Sequence, residues 1–434
     1  MTHTSPDTYR RLVRHTAACL LLCLSALFTM PAHTARAEHP ITLLHYWTGS
    51  MAGGIADMVD AYNARSPAIP VKAVGMEHES FKTAIRGMLA SGNGPDIFSY
   101  WAGARTQSLI DAGQLAPVDA VWNASNLSAV FPPAVAQACT YNGQKYAIPV
   151  TQHLVGFFYN VKQFAALGLE PPATWEQFLA VCGKLRAAGV APLALGNRER
   201  WPAQFWFDYL LLRTAGPEYR QRLMQSRAAY TDSEVVRAFT LWRQLLDAGY
   251  FSPVTESADW AEAAREVREG RAGMTLMGTW VMGYYAEQLG WKEGEDYDFF
   301  VFPAIEPGVP LVAVGPIDVL VMAPHGHEQE MRQVLAYFAD TELQQVMSLG
   351  SGALAPSSLV PPDFYSPLKR RLATIVQHAE SWQFAYDLTV PPVTADAGLG
   401  LFAAFLRGEQ RLDSLLRSMQ KRMEAASPVP GKAP

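Results

Sequence analysis

Asp318 is the one acid in an otherwise apolar stretch, residues 311–322. An ionised carboxylate in such surroundings is costly unless it is paired or solvated, so the residue implies either access to a cleft or a hydrogen-bonding partner. Other groups able to do chemistry fall at the ends of apolar runs. Tyr46 and Trp47 close a run over 41–47 and are followed by Thr48, Gly49 and Ser50, while Trp101 and Arg105 follow a run over 96–100. If these runs are strands of an open α/β sheet, a crevice lies beyond their carboxyl ends, and strand alternation turns one ring of the Tyr46–Trp47 pair towards it. Flat rings beside carboxylate and guanidinium groups suit a ligand with hydroxyls in a plane and weakly polar C–H faces.

Signatures of covalent chemistry are missing. The chain has no CxxC, HExxH, GxSxG, P-loop or dinucleotide fingerprint, which removes the enzymes most readily read from sequence. His325-Gly326-His327-Glu328 has neither a fourth ligand nor a usual metal spacing and reads as a polar helix entry. Asp96 precedes an apolar strand and reads as an acid that satisfies backbone N–H groups in a turn.

The elements that would position these residues follow from periodicity. After the first strand, Ile55, Met58, Val59 and Tyr62 recur at helical spacing, and a second strand over 71–74 follows the breakers Pro67 and Pro70. Ser80 is placed to cap a helix with Phe81, Ile85, Met88 and Leu89 on one face, stopped by Gly92 and Gly94 before the third strand. This β-α-β-α-β order opens a parallel sheet covered by helices. A new apolar segment at 154–159 leads into a mainly helical stretch of roughly 130 residues, with capping boxes at Thr174–Gln177 and Thr231–Glu234. Strand character returns over 312–322, residues 329–338 are helical, 350–362 form a Gly/Ser/Pro loop, and an amphipathic helix over 412–423 precedes a Pro-rich tail.

The first 37 residues combine Arg10, Arg11 and Arg14 with an apolar run over 16–30 and Ala35-Arg36-Ala37. That order is a secretory signal peptide, too short to span a membrane and cleaved before Glu38, so the chain is expected in a periplasm or outside the cell. Cys23 lies inside the apolar run without the small residues that lipid modification needs. About 400 residues remain, too many for one core, so two domains are expected. The net charge is −5 and becomes more negative once the Arg-rich segment leaves. With no basic cluster interleaved with aromatics, this argues against a nucleic-acid partner. After residue 37 no apolar run approaches the length of a membrane span. Cys139 and Cys182, the remaining cysteines, read as buried free thiols.

Five blocks in order resemble the extracellular solute-binding proteins of ABC importers, family 1. They are Leu43-Leu44-His45-Tyr46-Trp47-Thr48-Gly49-Ser50; Gly94-Pro95-Asp96-Ile97-Phe98 with Tyr100-Trp101 and the segment 109–117; Phe157-Phe158-Tyr159-Asn160 with Phe164, Gly168-Leu169, Pro172 and Thr174-Trp175-Glu176; the segment 270–280, reading GRAGMTLMGTW; and Ala336-Tyr337-Phe338 through Pro356. The resemblance covers about 41–424. It implies a two-lobed α/β periplasmic-binding-protein fold, each lobe a mainly parallel sheet covered by helices, with three hinge crossings near 149–154, 311–317 and 351–358. The lobes are then 38–150 with 316–353, and 151–315 with 354–428, followed by a tail at 429–434.

The resemblance also implies a monomeric receptor, without cofactor or covalent chemistry, that closes on a mono- or oligosaccharide and delivers it to permease subunits. Alternatives are a receptor of the same family for an organophosphate, polyamine or thiamine-like solute, and a secreted glycan-active enzyme. The ligand groups it implies are Tyr46 or Trp47 with Ser50, Trp101 with Arg105, and His153 at the first crossing, where some relatives present a carboxylate. Glu199, Trp201 and Phe205 would form the rim of the second lobe, Trp280 would stack on a sugar ring, and Asp318 would contact the ligand at the second crossing. Structural readings stand beside these: Arg105 as a surface ion-pair partner, and His153 and Asp318 as hydrogen-bonded hinge residues.

Overall fold

The opening runs form β1 (Ile41–His45), α1 (Ala52–Ala64), β2 (Val71–Gly75), α2 (His78–Ala90), β3 (Ile97–Trp101) and α3 (Ala104–Asp111). β1 pairs in parallel with β2 and β3, since each helix carries the chain back to the same end of the sheet. Every residue of β3 is buried, as in a strand covered on both faces. This computed structural model describes residues 40–426 except 254 and 325–327. The expected signal peptide with its cleavage before Glu38, the His325-Gly326-His327 segment and the tail at 429–434 lie outside the described residues.

From β4 (Ala147–Gln152) the chain passes through His153 and Leu154 directly into β5 (Val155–Asn160) of a second sheet. Around that sheet lie α4 (Trp175–Ala187), β6 (Ala191–Ala194), α5 (Gln204–Met224), α6 (Ser233–Asp247), α7 (Trp260–Arg268), β7 (Ala272–Gly278), α8 (Trp280–Gly283) and β8 (Tyr297–Phe300). The chain then runs through β9 (Val312–Val314), β10 (Ile317–Met322), α9 (Glu328–Phe338), α10 (Thr341–Ser351), β11 (Ser381–Gln383), α11 (Tyr386–Thr389) and α12 (Leu412–Ala426).

Strand order is β2-β1-β3-β10-β4 in the first sheet and β8-β5-β7-β6 in the second. Both sheets are mixed. β10 is antiparallel to β3 and β4, and β5 is antiparallel to β7 and β8. The expectation of mainly parallel sheets therefore holds for β2-β1-β3 and for the β6–β7 pair but not for the strands next to the crossings. β5 and β10 enter from the opposite lobe instead of through a covering helix, so nothing returns them to the starting end. Each sheet has its own core: one drawn from 41–150 and 317–347 with Leu388, the other from 154–314 and 354–423.

Several local elements differ from the sequence expectation. Glu77, not Ser80, caps α2, accepting the N–H groups of Glu79 and Ser80 at 2.9 Å each. The box at Thr174 forms with Gln177. The one at Thr231 does not: α6 starts after Asp232, whose carboxylate instead takes the Ala229 N–H and the Tyr219 hydroxyl. The run over 312–322 is two strands, β9 and β10, parted by Gly315-Pro316. The 350–362 loop begins only after α10 ends at Ser351. Asp96 is structural, but it clamps neighbouring strands instead of a turn, since Oδ2 accepts the Thr42 N–H at 2.8 Å and its hydroxyl at 2.7 Å. Cys139 and Cys182 are free and buried.

The crossings are tied to one another. Gln152 and Leu354 exchange two backbone hydrogen bonds of 2.9 Å, and the His153 N–H donates to the Pro316 carbonyl at 3.1 Å. Gly315 is required there by close approach: a Cβ at this position would lie 1.6 Å from the His153 carbonyl oxygen.

Candidate functional site

Strand register builds the floor of the site. In the antiparallel β10–β3 pair Asp318 lies opposite Trp101, and in the β10–β4 pair it lies opposite Thr151, beside a bulge. Asp318 is therefore flanked on one sheet face by an indole and a hydroxyl. Its Oδ2 accepts the Thr151 hydroxyl at 2.7 Å and the Trp47 indole N–H at 3.5 Å, and His153 Nε2 stands 3.4 Å away. Burial works against the charge, but His153, Thr151 and Tyr46 outweigh it and hold the carboxyl below its ordinary range.

A cavity of about 240 Å³ opens over this floor. On the first-lobe side Tyr46 stacks on Trp101, with centroids 4.3 Å apart and planes within 11°, and the Tyr46 hydroxyl donates to the Tyr100 carbonyl at 3.2 Å. On the second-lobe side Trp201, Phe205 and Trp280 meet at 5.8 to 6.2 Å in edge-on and tilted contacts. The β5–β7 register, pairing Val155 with Gly278, sets Thr279 and Trp280 beside His153. His153 Nδ1 and the Thr279 hydroxyl are 2.9 Å apart, and the Trp280 ring stands edge-on to the imidazole at 5.3 Å. Gly278 admits that ring: a Cβ there would lie 2.0 Å from it.

The cavity's charges are paired. Arg105 donates to Asp387 at 2.9 Å, so its place beside Trp101 is an ion pair facing the cavity and not a surface one. Burial disfavours the guanidinium charge, yet Asp387 and Tyr100 keep the group above its ordinary value. Lys82 donates to Glu79 at 2.9 Å. The Glu79 carboxyl is held at about 2, because His78 and Lys82 overcome its burial, while burial and then Lys82 lower the His78 imidazole.

Of the groups expected at the site, Tyr46, Trp101, Arg105, His153, Trp201, Phe205, Trp280 and Asp318 line this cavity. Trp47, Ser50 and Glu199 are not among the lining residues. Trp47 is wholly buried behind Asp318, because alternation gives the cavity to Tyr46. Ser50 sits in the turn Gly49–Met51. Glu199 turns to the Arg198–Asp259 cluster, where burial and Asp259, against the pull of Arg198, push its carboxyl up to about 7.

Sequence reasoning missed Glu77, His78 and Lys82, which follow the carboxyl end of β2, a position the crevice rule could have flagged. Trp260 opens α7 at the cavity, and Gln204 opens α5 and accepts the Asp387 N–H through Oε1 at 2.8 Å. Asp387 carried no local signal. It is delivered by α11, which is seated on the buried Asp208–Arg220 pair. Asp208 accepts the Tyr386 N–H at 2.8 Å, and Arg220 donates to the Phe384 carbonyl at 2.8 Å.

Comparison with known proteins agrees with this architecture. Residues 48–345 match the family of bacterial extracellular solute-binding proteins. An uncharacterized ABC transporter extracellular-binding protein of Pyrococcus horikoshii is 28% identical over 81% of this chain and 79% of its own length. A protein of Mesorhizobium japonicum named "Probable sugar-binding periplasmic protein" is 25% identical over 89% of this chain and 93% of its own. Among solved structures, the bacterial solute receptor AcbH, described as having an exclusive preference for β-D-galactopyranose, superposes with a TM-score of 0.83 at 25% identity, covering 89% of this chain and 99% of that one.

Proposed function

Because this chain belongs to the family of bacterial extracellular solute-binding proteins, we propose that it captures a sugar by closing its two lobes and delivers it to the permease subunits of an ABC importer. The observation that carries the reading is the cavity itself, where the Tyr46–Trp101 stack of one lobe faces the Trp201–Phe205–Trp280 group of the other above the Asp318 carboxylate. Rings offer surfaces for C–H faces, and the paired polar groups between them offer hydroxyl partners. The lobes are assigned as 38–150 with 316–353, and 151–315 with 354–428. The chain acts as a monomer exported by its first 37 residues.

The other readings lack support in the site. A phosphate-bearing solute needs uncommitted cations, whereas Arg105 and Lys82 are already paired. A polyamine needs open acids around rings, but both oxygens of Glu77 serve the α2 cap. A glycan-cleaving enzyme needs one carboxyl kept protonated as an acid. Asp318 is instead held below its ordinary value, and Asp387 is tied to Arg105. The test is mass spectrometry of small molecules released from the purified protein, followed by calorimetry. Recovery and rebinding of an unaltered sugar is expected. A phosphorylated or cationic ligand, or turnover of the bound sugar, would overturn the reading.

A further inference from the structure

The Arg105–Asp387 pair is held by one hydrogen bond, where a guanidinium and a carboxylate can form two in parallel. Arg105 Nη2 reaches Asp387 Oδ2 at 2.9 Å, and both side chains are largely buried in the wall of the cavity. Arg105 Nε is buried without a hydrogen-bond partner, and among the described residues nothing donates to Asp387 Oδ1. Gln204 adds a third open group. Its Oε1 accepts the Asp387 N–H at 2.8 Å. Only the oxygen of an amide accepts, so Nε2 is left as a donor, and no acceptor among the described residues meets it. Gln204 and Asp387 are only 2% and 5% exposed, yet both line the cavity. What remains to answer their open atoms is a molecule in the cavity.

These groups are held in place. Tyr386 belongs to the core of the second sheet and Leu388 to that of the first, so Asp387 between them is fixed from both sides, and Gln204 starts the long helix α5. Support of this kind is what a polar binding constellation needs. A sugar hydroxyl donates one hydrogen bond and can accept others. Two adjacent hydroxyls therefore match a carboxylate oxygen set beside amide and guanidinium N–H groups: one donates to Asp387 Oδ1, and the pair accepts from Gln204 and Arg105. We propose that Asp387 and Gln204, acting with Arg105, are specificity-determining residues that read two adjacent free hydroxyls of the bound sugar, and that a sugar lacking either hydroxyl is rejected. The rejection has a physical source, since each missing hydroxyl leaves a buried donor or acceptor unpaired. The inference rests on the sugar reading above and narrows it to a class of sugar.

Calorimetry on the purified protein, freed of bound ligand, would use D-glucose, D-galactose, D-xylose and any sugar released from the protein, followed by the singly deoxygenated forms of each sugar that binds. Two deoxy forms, altered at neighbouring carbons, should bind about tenfold or more weakly than their parent, and the other positions should matter less. In Asp387→Ala the penalty for at least one of those two forms should shrink to within about twofold, because the acceptor that the hydroxyl met is gone. Gln204→Glu keeps an acceptor for the Asp387 N–H and removes the open donor. It should weaken the parent sugar about tenfold with little change in thermal midpoint; unchanged affinity would overturn the role of Gln204. Equal penalties at every position, penalties at carbons that are not neighbours, or undiminished penalties in Asp387→Ala would overturn the hydroxyl reading while leaving sugar binding in place. Failure of every sugar, together with recovery of a non-sugar ligand, would overturn both.

Discussion

Asp318 is a buried charge retained because Thr151, Trp47 and His153 converge on one of its oxygens. Replacing it with Ala leaves those groups without their acceptor, and such losses cost about 1–3 kcal/mol. Its native pKa lies below the ordinary carboxylate value, so its stabilisation is present above the unfolded pKa and is lost as pH falls through the native one. Urea unfolding should show the Asp318→Ala deficit at neutral pH and a shrinking deficit below about pH 4. Glu199 has the opposite sign. With its carboxyl pushed up to about 7, the native state holds a proton that the unfolded chain has released, so stability falls as pH rises from the unfolded value to about 7. Glu199→Gln should remove that slope and raise the stability at pH 8 relative to the native chain; a parallel pH profile would count against it. Trp280 is only part-buried against the core and lines the cavity; if it forms the proposed binding surface, Trp280→Ala should weaken sugar binding by about 1–3 kcal/mol. Its stability loss should stay well below the roughly 3–5 kcal/mol of a core aromatic-to-Ala cavity. A normal isotherm with easy unfolding would make it a packing residue.

Elements meet most tightly where the chain changes lobe. With only 1.6 Å between a Gly315 Cβ and the His153 carbonyl, Gly315→Ala must displace the first crossing from the second. It should lower the thermal midpoint and weaken sugar binding together, because His153 carries both Asp318 and Thr279. Retained stability with retained affinity would show that the crossings tolerate being pushed apart. The helices illustrate which local signals survive folding. Thr174 and Gln177 form their reciprocal cap, with Thr174 itself extended. At Thr231 the same pattern lost to Asp232, which tertiary packing recruited for Tyr219 and Ala229.

At the scale of the whole molecule, two cores joined by crossings make closure the motion to expect. Saturating sugar should reduce the radius of gyration in solution scattering, and an unchanged profile would argue against a closing receptor. The thiols should take no part: burial raises the Cys139 thiol to about 12 and pushes Cys182 higher still. Native protein should therefore resist alkylation, and both residues should react only after unfolding.

The family blocks, the strand–helix alternation of the first lobe and most of the cavity aromatics were legible in the sequence, because periodicity and strand-end position are local properties that a core of either lobe preserves. So was the strain at Asp318, since an acid within an apolar run is costly in any fold. Tertiary structure alone decided that Tyr46 and not Trp47 lines the cavity, that Arg105 is answered by Asp387, and that the strands beside the crossings run antiparallel. Each depends on which segments become neighbours across more than a hundred residues. Asp387 reaches the cavity only because a buried ion pair at Asp208 and Arg220 seats its helix, and no spacing along the chain encodes that meeting.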